Sequence, residues 1–355
     1  MNTSGLPRTV AVLGGGAMGS ALLPSLRRAN LRVVAAWSRS PHPGQWRSGP
    51  LPRALKEAEL VFLAVADGAV EALCARLVEE KLLGAGQMVA HLAGALPLDI
   101  LASALAAGAR TGSMHPLRAV VPSGPPDALK GASASIAGSD EGARATLVAV
   151  AHALGLSPLV IPDQGRALYH AAAVLAGGGQ VALFAEAVRT FQLGTGVTEA
   201  EARAALLPLA QGALTVLAGR TPAAALTGPV LRGDAETIAA HRDALRGAGP
   251  ELLGLYDALS QVSIRLAREG ERSPEDALAR VAAALGSAAA ARPPAPPAAA
   301  KTPSPRPAPD PAIRSSTPRP PPPTAARPPA SSRSRAPRAR PPAPPPPGPA
   351  PRKRR

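Results

Sequence analysis

The glycine-rich segment Gly14–Gly19 is the part of the sequence whose residue types and spacing most directly suggest a bound ligand. It fits the pattern G-x-G-x-x-G, follows an apolar run and opens a helical pattern. In such a loop Gly14 permits a tight turn, Gly16 lets the backbone approach a pyrophosphate, and Gly19 allows close packing of helix on sheet. The helix N-terminus then offers N–H groups and a positive dipole end to the phosphates. We predict a dinucleotide site that also includes Ala17 and Met18; a glycine turn that has lost its ligand is the alternative.

The second predicted strand indicates which dinucleotide is bound. An NAD site usually carries an acidic residue about 20 residues after the glycines, where it binds the ribose hydroxyls. Here no acidic residue occurs before Glu57, and the strand ends in Ser38, Arg39 and Ser40. Two hydroxyls beside a guanidinium suit the 2′-phosphate of NADP. We therefore predict NADP, with a solvated loop position as the alternative for Arg39.

Histidines are the natural proton donors for hydride transfer near neutral pH. His115 directly follows the fifth predicted strand, where Pro116 restricts the backbone. His170 begins the first long helix of the second half of the chain. We predict that His170 donates the proton and that His115 orients the substrate; a histidine satisfied within the core or an interface is the alternative for each. Three other histidines are predicted to lie on the surface: His42, His152 and His241.

Other candidate residues lie where strands end. Val65 and Ala66 end the third predicted strand and are expected to contact the cofactor. Asp67 follows them, and we interpret it as a helix cap rather than a ligand. The next loop along this edge, His91–Gly94, is expected on the nicotinamide side. Ser113, in the fifth strand, is predicted to contact the substrate.

A third cluster contains Thr227, Arg232 and Asp234. A guanidinium can hold a carboxylate through two hydrogen bonds, so we predict that Thr227 and Arg232 bind a substrate such as a small 2-oxo acid. An ion-pair network between Arg232 and Asp234 is the alternative. We interpret Asp234 as the N-cap of a helix that begins at Ala235.

Short apolar runs alternate with helical patterns in the first half of the chain, as in a doubly wound parallel sheet. The predicted strands are Val10–Leu13, Leu31–Trp37, Leu60–Val65, Gln87–Leu92, Arg110–Met114, Ser133–Ala137 and Leu159–Ile161. From Gly165 the strand signal disappears and about five helices are expected. We predict an α/β protein: a Rossmann-type NADP-binding domain in residues 1–163, an all-helical domain in 164–286, and a disordered Pro/Ala/Arg-rich tail in 287–355.

The formal net charge of +15 resides almost entirely in that tail, which carries +13. The basic balance therefore does not make the folded part a nucleic-acid binder. Weak contact of the tail with nucleic acid or an acidic surface is one interpretation, and a solubilising extension is the other. Cys74 is the only cysteine, which excludes an intramolecular disulfide. No secretory signal is visible, and the uncharged run Ala171–Ala185 is too short and glycine-rich to span a bilayer, so a cytoplasmic protein is expected.

Three segments in order, Gly112–Leu117, Ala167–Ala172 and Ala225–Asp234, resemble a group of bacterial Rossmann-like proteins with a helical domain of unknown function 2520. This group is similar to the 6-phosphogluconate dehydrogenase-like superfamily, near pyrroline-5-carboxylate reductase and ketopantoate reductase. The resemblance implies an NADP-type Rossmann domain, a helical domain that commonly dimerises, and a ketopantoate reductase-like activity as one option. Relatives usually carry a serine in place of Ala93 and Ser-Asn in place of Gly177 and Gly178, and the superfamily's helical lysine is absent here.

These observations lead to one expected function and two alternatives. The first is a dimeric NADP-dependent oxidoreductase that reduces a carbonyl or imine of a small, carboxylate-bearing metabolite. The second is a catalytically degraded dinucleotide-binding protein that acts as a sensor or scaffold, which the substitutions at Ala93, Gly177 and Gly178 favour. The third is a protein that associates with nucleic acid through its tail.

Overall fold

A seven-stranded sheet forms the N-terminal half of the computed structural model, which describes residues 5–286 except 122, 123 and 126. The predicted tail, 287–355, lies outside the described residues. The strands are β1 (Thr9–Leu13), β2 (Arg32–Trp37), β3 (Leu60–Leu63), β4 (Met88–His91), β5 (Arg110–Pro116), β6 (Ser133–Gly138) and β7 (Ser157–Val160). Their order is β2-β1-β3-β4-β5-β6-β7. Neighbours are parallel except β5 and β6, which are antiparallel. The predicted fold class and all seven predicted strands are confirmed.

Apolar side chains on both faces of the central strands explain why these runs form a buried sheet. Val10, Val12 and Phe62 pack into the core on one face, whereas Ala11 and Val61 pack into the core on the other. Such runs are typical of parallel strands covered by helices on both sides. The covering helices are α1 (Ala17–Arg28), α2 (Val70–Glu79), α3 (Ala102–Ala106) and α4 (Glu141–Ala153). Because β1–β5 are parallel, their carboxyl ends share one edge, where ligands of such sheets bind.

The C-terminal half is helical from Arg166 onward, as predicted. Its helices are α5 (Arg166–Ala176), α6 (Gly178–Thr195), α7 (Glu199–Leu217), α8 (Pro222–Ala225), α9 (Pro229–Arg232), α10 (Ala235–Arg246), α11 (Pro250–Glu269) and α12 (Glu275–Ala284). About five were expected; in the described residues there are eight, two of which are single turns begun by Pro222 and Pro229. The side chain of Asp234 accepts a hydrogen bond from the Thr237 N–H, so its predicted N-cap role is confirmed.

Helices α5–α7 expose an unusual number of large apolar side chains. Leu168 is 80% exposed, Leu209 72% and Leu175 70%. The α5–α6 segment, residues 166–195, is also the one described segment long and apolar enough to cross a membrane, judged by length and composition alone. Gly177 breaks this segment between the two helices. These helices therefore carry an apolar surface that the described fold does not cover.

A buried arginine attaches the helical half to the sheet. The Arg166 side chain, only 2% exposed, opens α5 and donates a 2.6 Å hydrogen bond from its guanidinium to the Ser113 hydroxyl in β5. Ser113 is itself fully buried. A hydrogen bond to a charged group in such surroundings contributes about 1.5–3 kcal/mol. This contact therefore holds the start of α5 against the edge strand of the parallel region.

We expect Arg166→Ala to lower the free energy of unfolding by about 1.5–3 kcal/mol, because it removes this bond and leaves the Ser113 hydroxyl buried without its donor. Urea denaturation followed by circular dichroism measures the change. Arg280→Ala is the control: its guanidinium forms an exposed ion pair with Asp276 on α12, and such pairs contribute little. Equal, small effects of the two substitutions would contradict the anchoring role of Arg166.

Candidate active site

The glycine loop has the geometry that its spacing predicts. Gly14 has φ +116°, and a Cβ there would lie 2.2 Å from the Ala64 carbonyl oxygen. A Cβ on Gly19 would lie 1.8 Å from the Gly14 oxygen, so this position also excludes a side chain. A Cβ on Gly16, in contrast, would meet no heavy atom within 4 Å. The loop is thus tightly packed at Gly14 and Gly19 and open at Gly16.

Helix α1 presents its first turn beside this opening. Its N-cap residue is Gly16, which has no side chain that could cap the helix. The first turn contains no acidic residue. Ala17 and Met18 begin the helix and are half-buried. Backbone N–H groups at a helix start without a cap favour an anion. The residues present therefore fit a dinucleotide pyrophosphate at this place.

The segment after β2 carries the predicted 2′-phosphate residues next to the glycine loop. Arg39 and Ser40 are exposed and Ser38 is half-buried. The Ser38 N–H donates to the Arg47 carbonyl at 2.8 Å, and the Arg47 N–H donates to the Ala36 carbonyl at 2.9 Å. His42, predicted to lie on the surface, instead packs against the glycine loop: a Cβ on Gly15 would lie 3.1 Å from its ring. His42 is thus half-buried rather than fully exposed, whereas His152 and His241 are exposed as predicted.

The ends of β3 and β4 continue this edge. Val65 is half-buried and Ala66 is exposed. Asp67 begins a single 3-10 turn, Asp67–Ala69, whose N-cap position is Ala66. Its side chain makes no capping bond, so the predicted cap role is wrong, because the turn begins at Asp67 rather than after it. Asp67 instead acts electrostatically on His115.

His115, Tyr169 and His170 meet at the end of β5. Nδ1 of His115 lies 2.9 Å from the Tyr169 hydroxyl, and the rings of His115 and His170 are 5.8 Å apart, edge to face. Both imidazoles pack on Gly94 after β4. A Cβ there would lie 2.4 Å from Nδ1 of His170 and 2.9 Å from Cε1 of His115. The two predicted histidines are therefore brought together across the two halves of the chain.

Burial shifts the protonation of this cluster. It lowers the pKa of His115 below 6.5; the charge of His170 lowers that pKa further, and Asp67 partly opposes the change. Burial raises the pKa of Tyr169 above 10. At neutral pH His115 is thus uncharged and Tyr169 keeps its proton, so either the phenol or Nδ1 of His115 can donate the hydrogen bond between them, depending on the tautomer of the imidazole. When the phenol is the donor, the hydrogen of the neutral imidazole lies on Nε2.

Nδ1 of His170 is buried, and the described residues provide no hydrogen-bond partner for it. It faces the Cα side of Gly94, which offers no acceptor. Because buried polar atoms are usually paired, this exception points to a functional position.

A cavity of about 650 Å³ opens beside the cluster. Its walls come from the segment after β5 and from α5, including Pro116, Ala173, Val174, Gly177 and Gly178 with the three clustered side chains. Arg118 also lines it and is exposed. The cavity is thus an apolar chamber with two imidazoles, one phenol and one guanidinium, which suits a small, polar-headed molecule.

The remaining predicted substrate residues do not line this cavity within the described chain. Thr227 and Arg232 are exposed, on the helical cluster around Val230 and Ile238. The Ser113 hydroxyl is buried and accepts from Arg166, so it holds the helix rather than facing the cavity.

Two family models match the chain in tandem. A Rossmann-like domain model matches residues 5–116, and the model of a domain of unknown function, DUF2520, matches residues 132–263. The chain is a Rossmann-like protein with a DUF2520 domain. No curated protein sequence matches it. The DUF2520 match begins at β6 and ends within α11, so it includes Tyr169 and His170, whereas His115 lies in the Rossmann-like match.

Solved structures share this arrangement. A Bacteroides fragilis protein, provisionally named an NADP oxidoreductase, is 22% identical with a TM-score of 0.58; the match covers 72% of this chain and 97% of that one. A Thermotoga maritima protein is 22% identical with a TM-score of 0.56, over 74% and 100% of the two chains. At this identity the similarity shows the fold alone: a mainly parallel sheet followed by a helical region.

Three functional candidates in the DUF2520 protein escaped the sequence analysis. Tyr169 stands directly before His170, so a search of that motif for acids would find it. Arg118 follows His115 by three residues, but nothing in the sequence distinguishes it from the many other arginines. The residues around Arg166 likewise do not indicate that its side chain is buried. Only the packing of α5 on β5 shows what these residues contact.

The lowered pKa of His115 makes a prediction about stability. The unfolded chain takes up a proton near pH 6.5 before the folded chain does, so this contribution to stability is present above that pH and is lost as the pH falls towards the folded value. We expect the free energy of unfolding in urea to fall between pH 7.5 and about 5.5, and to fall less in His115→Gln. His152→Gln, at an exposed position, is the control. An unchanged pH dependence in His115→Gln would contradict the assignment.

Proposed function

We propose that the protein is an NADP-dependent oxidoreductase that reduces a carbonyl or imine of a small, carboxylate-bearing metabolite. One observation carries the proposal: a single edge of the sheet joins an open glycine loop to a cluster of two imidazoles and a phenol beside a cavity. The B. fragilis protein of the same fold is named for NADP oxidoreduction, which supports this class. Ketopantoate and cyclic imines are the first substrates to test.

Contacts between successive strand ends make this edge continuous. Gly14 after β1 packs on Ala64 after β3. Asp67, also after β3, acts on His115 at the end of β5, and Gly94 after β4 touches both imidazoles. An extended ligand bound at Gly16 would therefore run over β3 and β4 towards His115.

NADP is the cofactor that these residues fit best. The open Gly16 and the first turn of α1, with Ala17 and Met18, would hold the pyrophosphate. Arg39, flanked by Ser38 and Ser40, would bind the 2′-phosphate. Val65 and Ala66 would pack along the cofactor between these groups and the histidines.

A bound nicotinamide supplies the hydride, so the protein must orient the substrate and deliver a proton. His115 orients: the Tyr169 phenol occupies its Nδ1, and the N–H at Nε2 donates to the oxygen or nitrogen being reduced. His170 delivers the proton from Nε2, since its Nδ1 is buried against Gly94. Burial raises the pKa of Tyr169, so its phenol keeps the proton that it would donate to Nδ1 of His115 in this arrangement.

The substrate carboxylate requires a cation, and two arginines are candidates. Arg118 lines the cavity with His115 and His170, so it is the nearer candidate in one chain. Arg232, with Thr227, is exposed on the helical half. We assign Arg118 as the carboxylate ligand in this chain, because a guanidinium that lines the same cavity can hold the acid while the carbonyl lies at His115.

We also propose a homodimer formed through α5–α7, in the cytoplasm. Monomeric soluble proteins rarely expose large contiguous apolar surfaces. A second copy covers such a surface more simply than a membrane does, because Arg166 is bound inside the fold and Glu186 and Arg189 carry charges in the middle of α6. The basic tail would then contribute at most weak contacts with nucleic acid or acidic surfaces.

The second candidate function is that of a sensor or scaffold that still binds NADP but no longer catalyses a reaction. The cavity carries no side chain at Gly177 and Gly178, so few polar groups hold a substrate there. A sensor or scaffold would bind NADPH and change the oligomer or a partner without turnover.

We expect NADPH, rather than NADH, to be oxidised in the presence of one member of a panel of 2-oxo acids and cyclic imines. His170→Ala should lower kcat roughly 10²–10⁴-fold with NADPH affinity intact, because it removes the proton donor but not the nucleotide site. NADPH absorbance and calorimetry measure the two quantities, with His152→Ala as control. NADPH binding without turnover of any substrate would favour the sensor, and unchanged turnover in His170→Ala would remove His170 from the mechanism.

A charged residue introduced into the apolar surface of α5–α7 tests the proposed dimer. We expect the protein to sediment as a dimer and Leu175→Glu to raise the dimer dissociation constant at least about tenfold, because the substitution buries a carboxylate without a partner. Leu175 does not line the cavity. Leu105→Glu, at an exposed position on α3, is the control. A monomeric wild type would contradict the proposal, and co-sedimentation of the wild type with lipid vesicles would favour the membrane instead.

A further inference from the structure

His42 lies against the glycine loop although it is distant from that loop in sequence. A Cβ on Gly15 would lie 3.1 Å from both Cγ and Cδ2 of His42 and 3.3 Å from the Cβ of Ser38. Gly15 is the variable position of the G-x-G-x-x-G pattern, so its own turn does not require glycine. The imidazole and Ser38, which begins the proposed 2′-phosphate group, therefore flank the same residue of the nucleotide loop.

The segment that carries His42 is held in place at its base. Arg47 bonds back to β2 through its N–H and its carbonyl, and the Trp37 indole donates to the Gly49 carbonyl at 3.0 Å. The His42 ring also lies edge to face with Trp46, with ring centroids 5.7 Å apart. These contacts position the imidazole on a fixed loop rather than on a free one.

The hydrogen bonding of the ring determines which nitrogen remains for a ligand. Nδ1 of His42 lies 3.1 Å from the Pro43 carbonyl oxygen, and because a carbonyl only accepts, Nδ1 is the donor. Nε2 is bonded to Cδ2, the atom that packs beside Gly15, so Nε2 lies next to the glycine loop. Gly15 and Trp46 already contact the ring, which leaves the Nε2 edge, rather than a ring face, for a ligand.

We propose that His42 is a second 2′-phosphate residue and a specificity determinant for NADP, acting with Arg39. This inference rests on the proposed NADP-binding function. No acidic residue precedes Glu57, and Arg39 and Arg47 carry the permanent positive charges of this loop. With Nδ1–H on the Pro43 carbonyl, Nε2 donates only in the imidazolium form of His42; a phosphate dianion placed between that imidazolium and the Arg39 guanidinium receives charge-assisted hydrogen bonds from both. An adenine stacked on the ring would instead be bound equally in NADP and NAD.

Calorimetric titration of the full chain with NADPH, NADH, 2′,5′-ADP and 5′-ADP tests the proposal without turnover. His42→Ala removes the ring, and His42→Phe keeps a ring against Gly15 and Trp46 but removes both nitrogens. We expect both variants to bind NADPH and 2′,5′-ADP about tenfold or more weakly, with NADH and 5′-ADP nearly unchanged. His152→Phe is the matched control, and Arg39→Ala should show the same selectivity.

The outcomes separate this inference from the proposed function. If His42→Phe binds NADPH as the wild type does, His42 only packs on the loop and the inference is overturned while NADP binding stands. If both variants lose NADPH and NADH equally, the residue serves the adenine or the loop, which also overturns it. If the wild type binds none of the four probes, the proposed function and the inference fall together.

Discussion

The hydrogen bond between Arg166 and Ser113 is the contact on which the candidate site depends. It sets one face of helix α5 against one face of strand β5. Tyr169 and His170 follow Arg166 by three and four residues, so a helix places all three on one face. His115 follows Ser113 by two residues, so a strand places both on one face. The hydrogen bond between Arg166 and Ser113 therefore brings Tyr169 and His170 close to His115. The 2.9 Å contact between His115 and Tyr169 and the paired imidazoles are its consequence.

The fold was largely predictable because its signals are local. Each parallel strand is apolar on both faces, so β1–β4 stand out as short runs between helical patterns. The ends were less predictable: β5 extends to Pro116 because antiparallel β6 pairs with it to that point, which depends on the partner strand. The helical half contains more helices than expected, since the single turns after Thr221 and Gly228 have no periodic pattern and are defined by proline and capping alone.

The site was predictable where one residue type has few structural alternatives. Gly14 and Gly19 must be glycine because any Cβ would overlap backbone, and their spacing shows this without coordinates. Arg166 and His42 gave no such signal. A buried arginine that bonds to a hydroxyl looks like any surface arginine, and a histidine between prolines resembles a loop residue. Asp67 shows the converse error, since its position after a strand suggested a cap, whereas the turn begins one residue earlier than a cap requires.

Gly94 contacts both histidines of the proposed reaction, His115 and His170. Two imidazoles occupy the space that its side chain would fill, so the loop after β4 must stay bare for His115 and His170 to approach each other. That closeness has an electrostatic consequence: burial and the neighbouring charge of His170 lower the pKa of His115. A neutral imidazole at this position can accept the hydrogen of the protonated Tyr169 phenol. The packing of a glycine against two rings therefore gives two chemically identical side chains different surroundings, His115 beside the Tyr169 hydroxyl and His170 with Nδ1 enclosed at Gly94.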